Sequence, residues 1–153
     1  MTKCRGIVDI DENAPDAEIE RLNRAGVRGV RVNVNPIKPP EPGFSKTMLA
    51  RIGRVDARCA EIGWMLDFLT PGWLTRELLP VMRKLKSRHT VAHMGMFLAK
   101  DGPQQPGFQQ FLDYLRGGDL CWVKFTGTYR MSVTPGFIDA GPMARAIIEA
   151  APD

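Results

Sequence analysis

Short apolar segments rich in β-branched residues alternate along the chain with longer segments in which apolar residues recur every three or four positions. The short segments predict five strands, at 6–10, 27–34, 64–69, 90–94 and from Trp122 onwards. Each strand begins roughly 20 to 40 residues after the one before it, which leaves room for a helix after each strand. This alternation predicts a parallel sheet with right-handed crossover connections.

The longer segments predict five helices. They cover about 16–25, 45–62, 71–86, 108–116 and 142–150. Asn13 or Asp16 can cap the first helix and Ser45 can cap the second, whereas Pro80 would kink or shorten the third. Four prolines within 36–43 predict an irregular loop after the second strand.

Two α/β architectures fit this order of elements. One is an open, doubly wound sheet, and the other is part of a (β/α)₈ barrel. A complete barrel takes about 250 residues, whereas this chain has 153. Length alone therefore favours the open sheet.

The charge of the chain does not indicate a nucleic-acid-binding protein. The net charge is +4 and the pI is near 9.2, but the positive residues are scattered and form no long basic run. The apolar stretch near the N-terminus is broken by Asp9 and is too short for a signal peptide or a membrane span. We expect neither nucleic acid nor membrane as a partner.

The three cysteines, Cys4, Cys59 and Cys121, are too far apart for a C-x-x-C motif. An odd number with this spacing argues against a disulfide framework or a thiolate zinc site. We expect all three to be small buried apolar residues, and we expect a reducing, cytoplasmic location.

Candidate functional residues cluster where predicted strands end. Arg31 lies near the end of the second strand, where a fixed guanidinium can bind a carboxylate through two hydrogen bonds. Arg130 is predicted to occupy the corresponding position near the end of the fifth strand. His93 ends the fourth strand, either as a ligand-binding group or as a core histidine satisfied by a backbone carbonyl. His89, in a basic turn, is expected to be solvated.

Residues 122–132 are predicted to form a buried strand that turns at Gly127. The turn is followed by a hydrogen-bonding cluster of Thr128, Tyr129, Arg130 and Ser132. Asp67 lies on an apolar strand and is either a buried base or an ion-pair partner, and Lys124 either reaches solvent or pairs. Two arginines and a histidine at one rim would suit a small di- or polycarboxylate.

Four sequence blocks occur in order over essentially the whole chain. They are R-G-I-V at 5–8, G-V-R-G-V-R-V-N at 26–33, A-H-M-G at 92–95 and V-K-F-T-G-T-Y-R-M-S at 123–132. Together they resemble the amidohydrolase-related family, on the side of its 2-pyrone-4,6-dicarboxylate lactonase branch. The resemblance implies a (β/α)₈ barrel whose site lies at the carboxyl ends of the strands.

The resemblance also implies roles for individual residues. Arg31 and Arg130 would bind substrate carboxylates, and His93 would polarise the scissile lactone carbonyl. Tyr129 and Ser132 would be rim or supporting groups of the substrate site.

The sequence departs from the family pattern in three ways. The His-x-His block and the Thr-Asp-x-Pro-His block that carries the catalytic aspartate do not occur. Residues 1–153 would therefore be a single partial barrel domain of about five βα units, lacking the first strands and the last strand. In the third departure, the branch has a further basic residue after Arg31, and Lys38 is the basic residue that stands near that position. The segment 128–130 replaces a histidine of the metal-dependent relatives, so we expect no cofactor, although a divalent metal occurs in the wider family.

Two hypotheses follow from these observations. The first is a hydrolase of a carboxylated lactone or related cyclic ester, inactive as this chain alone because the base is missing. The second is a non-catalytic carboxylate-binding α/β module. In both, the partner is a small carboxylated molecule, and the unpaired edges of the sheet predict self-association.

Overall fold

The computed structural model describes residues 4–34, 41–118 and 120–151. In this part of the chain the strands are β1 (Gly6–Val8), β2 (Val27–Asn33), β3 (Met65–Leu69), β4 (His89–Val91) and β5 (Cys121–Val123). The α-helices are α1 (Asp16–Arg24), α2 (Phe44–Ile62), α3 (Gly72–Met82), α4 (Pro106–Arg116), α5 (Thr128–Met131) and α6 (Ala140–Ala150). Short 3₁₀ segments cover Ala92–Met96, Ala99–Asp101 and Pro135–Phe137. Lys38 and most of the predicted proline-rich loop lie outside the described residues.

The five described strands form one parallel sheet in the order β1-β2-β3-β4-β5. A doubly wound sheet reverses its strand order at a switch point, and this sheet does not. Right-handed crossovers between sequential neighbours place the connecting helices on one face of the sheet, as in a barrel wall. The expectation of about five parallel βα units of a barrel is confirmed, and the open doubly wound sheet that length favoured is wrong.

The helix-covered face of the sheet forms the core. Val30 and Val32 of β2, Leu66 and Phe68 of β3 and Val91 of β4 are all buried. Apolar residues of the helices complete this core: Ile52, Leu74, Leu78, Phe108, Phe111 and Met143. The burial of these side chains is the main favourable contribution to folding.

The opposite face of the sheet carries polar and exposed groups. Arg31, Asp67, Thr90 and Trp122 stand in register across four neighbouring strands. Trp122 is 48% exposed, so the prediction that the fifth strand is buried is wrong for this residue. Because β5 is an edge strand and Trp122 points away from the helices, no apolar layer covers it within the described residues.

His89 also differs from its prediction as a solvated residue. It is only 2% exposed and stands in register with Leu66, on the helix-covered face. Its Nδ1 lies 3.1 Å from the carbonyl of Ser87, and its Nε2 is hydrogen-bonded to the hydroxyl of Tyr114. Burial lowers the pKa of His89 below its ordinary value.

Two of the differences between predicted and observed helix boundaries concern the expected cap Ser45 and the expected effect of Pro80. The second helix begins after Gly43, whereas Ser45 lies inside it and hydrogen-bonds to Glu77. The helix that contains Pro80 ends at Met82, four residues earlier than predicted, which agrees with the expected shortening.

The cysteines occupy three different environments, although all three are free thiols. Cys59 is buried as predicted, whereas Cys4 is exposed and Cys121 is partly buried. Within the described residues, none of the helices combines the length and the apolar character needed to cross a lipid bilayer.

Candidate substrate site

His93 lies in a left-handed turn directly after β4. The strand ends at Val91, and His93, Met94 and Gly95 have φ of 53°, 52° and 77°. The predicted strand 90–94 is therefore too long. Non-glycine residues in this conformation cost about 1–2 kcal/mol each, and they occur at functional sites where the surrounding structure holds them.

Hydrogen bonds from two sides hold this turn. The backbone N–H of Met94 donates to the carbonyl of Lys124 at 3.2 Å. The buried hydroxyl of Thr75 donates to the carbonyl of Gly95 at 3.1 Å and lies 2.8 Å from the hydroxyl of Thr70. The turn is thus fixed both to the segment after β5 and to the start of α3.

The imidazole of His93 contacts the loop that follows β5. Its Nδ1 lies 2.9 Å from the hydroxyl of Thr126. Gly127 has φ +67°, and a Cβ atom at this position would overlap the imidazole ring. Sequence reasoning identified Gly127 as a turn residue but missed both contacts, because they depend on the left-handed turn, which has no sequence signature.

The surroundings of His93 favour its neutral form. Burial of the ring lowers its pKa below the ordinary value, and the positive charges of Arg130, Lys124 and Arg31 lower it further. A neutral imidazole has one N–H donor and one acceptor nitrogen. It can therefore donate a hydrogen bond to a carbonyl or accept a proton.

Asp67 binds two of these cations. Its carboxylate is fully buried, 2.5 Å from Nη2 of Arg31 and 2.5 Å from Nζ of Lys124. Nε of Arg31 donates to it at 2.8 Å, and the hydroxyl of Thr90 donates to it as well. The sequence left Asp67 as either a buried base or an ion-pair partner, and the structure shows that it is an ion-pair partner.

The hydrogen bonds to Asp67 keep it ionised. Burial alone would raise its pKa, but hydrogen bonds from Lys124, Thr90 and Arg31 together hold the pKa below its ordinary value. A carboxylate whose pKa is lowered is a weaker base. The side chains of Arg31 and Lys124 are 40% and 37% exposed, so Asp67 orients two cations that solutes can still reach.

Arg130 and Tyr129 lie on the short helix α5, not on the fifth strand as predicted for Arg130. Both side chains are exposed. The guanidinium of Arg130 lies over the Tyr129 ring, 5.7 Å from its centroid. The helix α5 packs against the segment Ala92–Met96 that contains His93, and the charge of Arg130 contributes to lowering the pKa of His93.

Ser132 is buried and has partners within its own loop. Its hydroxyl is hydrogen-bonded to the Asp139 carboxylate and accepts from the N–H of Thr134 at 3.1 Å. These contacts link the end of α5 to the start of α6. The structure gives Ser132 a supporting position, and its part in substrate binding stays a prediction.

A cavity of about 600 Å³ opens beside Arg130. It lies between the first turns of α3 and α4 and the segment after the His93 turn. Trp73, Met96, Phe97 and Leu98 contribute apolar walls, and Arg76 and Asp101 are also on the lining. The sequence did not predict this cavity because it depends on how three loops meet.

The described residues do not form a metal site of the kind found in the wider family. No group of three or more histidine, cysteine, aspartate or glutamate side chains lies together in 4–34, 41–118 and 120–151. The groups around His93 are a threonine hydroxyl and three cations. This set does not fit a divalent cation, and we derive no chemistry through one.

Comparison with known proteins reveals one family. The sequence model of the family described as Amidohydrolase matches residues 4–153. The chain is 30% identical to a 2-pyrone-4,6-dicarboxylate hydrolase of Comamonas testosteroni, covering 99% of this chain and 51% of the relative. It is 29% identical to a 4-sulfomuconolactone hydrolase of Hydrogenophaga intermedia, with 92% and 46% coverage. It is 28% identical to a D-galactarolactone isomerase of Agrobacterium fabrum, with 98% and 49% coverage.

A solved structure shows the same fold. A Pseudomonas putida protein assigned as a 2-pyrone-4,6-dicarboxylic acid hydrolase superposes with a TM-score of 0.78 at 27% identity. The match covers 95% of this chain and 52% of that protein. The chain thus spans about half the length of the curated relatives and of this structure.

Proposed function

The chain belongs to the amidohydrolase family, and from this premise we propose that it carries the carboxylate-binding part of a hydrolase for a carboxylated lactone or related cyclic ester. The observation that carries the proposal is the cluster at the carboxyl ends of the strands, where His93 is hydrogen-bonded to Thr126, the partly exposed cations Arg31 and Lys124 are held by Asp67, and α5 with Arg130 packs against the segment that contains His93. The relatives at 28–30% identity are named for reactions of lactones or of a pyrone.

The proposal gives each residue the role that the family resemblance implies. Arg130 is exposed beside His93 and binds one carboxylate of the substrate, and Arg31 binds another. His93 donates its N–H to the lactone carbonyl, where negative charge develops during attack by water. Tyr129 forms the rim next to Arg130, and Ser132 supports the loop behind it.

The 153-residue chain alone is expected to bind its substrate without turning it over. Asp67 is engaged with Arg31 and Lys124, and its lowered pKa makes it a poor base. The Thr-Asp-x-Pro-His block that supplies the base in the family does not occur in the sequence. Binding and orientation by the arginines would then be separable from the chemical step.

Calorimetry with 2-pyrone-4,6-dicarboxylate tests the proposal directly. Arg130→Ala is expected to weaken binding about tenfold or more, because it removes a charge-assisted contact. Arg24→Ala is the matched control, since it removes an arginine whose side chain is 70% exposed on α1. Failure of the wild-type chain to bind any dicarboxylate at millimolar concentration would contradict the proposal.

A non-catalytic carboxylate-binding module is the second candidate. It is favoured by the ion pairs of Asp67 with Arg31 and Lys124, because they engage the carboxylate that could otherwise act as a base in the described site. Hydrolysis of the dicarboxylate by the purified chain, lost in Arg130→Ala, would contradict the module and also the expected inactivity of the isolated chain. Binding without hydrolysis is expected for both candidates, and hydrolysis that appears when a segment carrying the Thr-Asp-x-Pro-His block is added would favour the enzyme.

We also propose a cytoplasmic location and small carboxylated molecules as partners, without nucleic acid or membrane. The three free thiols suit a reducing compartment, and the positive charges are scattered. That residues 1–153 form one partial barrel domain, lacking the first strands and the last strand, stays a prediction, as does the absence of a cofactor.

A further inference from the structure

The cavity beside Arg130 is larger and less polar than the grip on a carboxylate requires. Its walls are Trp73 at the start of α3 and Met96, Phe97 and Leu98 from the segment after the His93 turn. A void of roughly 150 Å³ with apolar walls is enough to hold benzene. At about 600 Å³, this cavity has room for a ring or a short alkyl chain.

The walls of the cavity are held in place before any ligand binds. Phe97 is buried and packs against Phe108 and Phe111. Gly72 touches the same segment so closely that a Cβ atom there would lie 2.8 Å from the Met96 carbonyl and 2.9 Å from the Phe97 Cα. A preformed apolar wall is typical of small-molecule sites.

Apart from Arg130, the charged side chains that line the cavity do not form a binding site for another anionic group of the ligand. Arg76 and Asp101 carry opposite charges, and Arg76 also lies 3.9 Å from the carboxylate of Glu77. Arg130 is therefore the charge that a bound anion would use. A molecule anchored there would place its uncharged part against the apolar walls.

The cavity also adjoins the proposed reaction centre. Arg130 lines the cavity and its charge acts on His93. Met96 lines the cavity three residues after His93, in the same 3₁₀ segment. A ligand bound to Arg130 can thus extend in two directions, towards His93 and into the cavity.

We propose that this cavity binds an apolar substituent of the substrate, so that the substrate class is a carboxylated lactone carrying a ring-sized or short alkyl group. The inference rests on the proposed function, because it takes Arg130 as the carboxylate anchor. A bare pyrone dicarboxylate would leave the apolar walls in contact with water.

Calorimetry with succinate and phenylsuccinate tests this inference without requiring turnover. Both probes carry two carboxylates, and they differ by one phenyl group. The wild-type chain is expected to bind phenylsuccinate about tenfold more tightly, since partial burial of a ring gains affinity on this scale. Equal affinities for the two probes would overturn the inference and leave the proposed function intact.

Two polar substitutions locate the effect. Leu98→Gln, on the cavity wall, is expected to reduce the affinity ratio of phenylsuccinate to succinate towards one. Val133→Gln is the matched control, because Val133 is an apolar residue that is 96% exposed and not on the lining. An unchanged ratio in Leu98→Gln would overturn the inference.

Arg130→Ala tests the carboxylate anchor that both proposals share. It is expected to weaken the binding of succinate and of phenylsuccinate by a similar factor. If the wild-type chain binds neither probe, the proposed function is contradicted and this inference with it.

Trp73 fluorescence gives a second readout of the cavity. Phenylsuccinate is expected to change the emission of the wild-type chain and to change that of Trp73→Phe much less. Equal changes in the two proteins would contradict binding in the cavity.

Discussion

At the scale of single residues, Asp67 shows why a strand position can be predicted and its role cannot. Alternation along β3 places Asp67 on the face opposite the core, together with Arg31 and Thr90 on the neighbouring strands. The sequence left a base and an ion-pair partner as alternatives. The pairing with Lys124, 57 positions away, depends on the fold as a whole.

Replacing Asp67 by asparagine is expected to lower the free energy of unfolding at pH 7 by about 2 kcal/mol. Two cations lose their partner, and the loss is limited because both are partly exposed. The native pKa of Asp67 lies below its ordinary value of 3.8, so its contribution is present above that pH and is lost as the pH falls through the native pKa. Urea unfolding at pH 7 and pH 3 is expected to show a smaller difference between wild type and variant at pH 3.

The control for this prediction is Asp113→Asn, which removes a surface carboxylate paired with Arg116 on α4. It is expected to change stability by less than about 1 kcal/mol at either pH. Equal effects of the two substitutions at pH 7 would contradict the role given to Asp67.

Gly127 and Gly136 form a natural pair for testing the contact with His93. Both have φ +67°, so alanine introduces the same backbone strain, but only Gly127 faces the imidazole ring. Gly127→Ala is expected to shift the pKa of His93, followed by NMR, whereas Gly136→Ala leaves it unchanged. In the wild type we expect a His93 pKa below 6.5. A similar titration in all three proteins would show that Gly127 does not position His93.

At the scale of elements, the core-facing pattern predicts helices and strands well, and the site loops poorly. The strands of the sheet follow from their apolar alternation, and α4 follows from the spacing of Phe108, Phe111 and Leu115. The fourth strand was predicted to reach residue 94 because Ala92 and Met94 continue its apolar pattern. Their burial comes instead from the turn after Val91, where Met94 has a positive φ.

The hydroxyl of Thr75 is expected to stabilise this turn. Thr75→Val removes a buried hydrogen bond to the Gly95 carbonyl and leaves the hydroxyl of Thr70 without its partner. We expect a loss of about 1–2 kcal/mol in the free energy of unfolding and faster amide hydrogen exchange at residues 94–96. Thr47→Val, at an exposed position of α2, is the control. If Thr47→Val lowered the free energy of unfolding as much as Thr75→Val does, the hydroxyl of Thr75 would have no special role in stabilising the turn.

At the scale of the whole molecule, strand order was more informative than chain length. Length favoured an open sheet, but crossover handedness places all the connecting helices of sequential strands on one face. The family resemblance predicted this barrel-like order. The exposure of the other face, with Trp122 on an edge strand, follows from the same order.

Exposed apolar groups on that face are expected to cause self-association. Trp122→Lys adds a charge to the edge strand and is expected to lower the apparent mass in light scattering at high protein concentration. Ile148→Lys is the control, because Ile148 is also a large exposed apolar residue but lies on α6. A wild-type chain that stays monomeric would contradict the prediction.

The ion pair between Asp67 and Arg31 has a consequence for selectivity. Asp67 is an internal carboxylate and is therefore present at a high effective concentration. A carboxylate ligand that binds Arg31 must compete with Asp67 for the guanidinium. In the proposed site, a monocarboxylate would compete through a single contact, whereas a dicarboxylate that is also held by Arg130 would compete intramolecularly. Asp67 would then weaken the binding of simple acids such as acetate more than the binding of dicarboxylates.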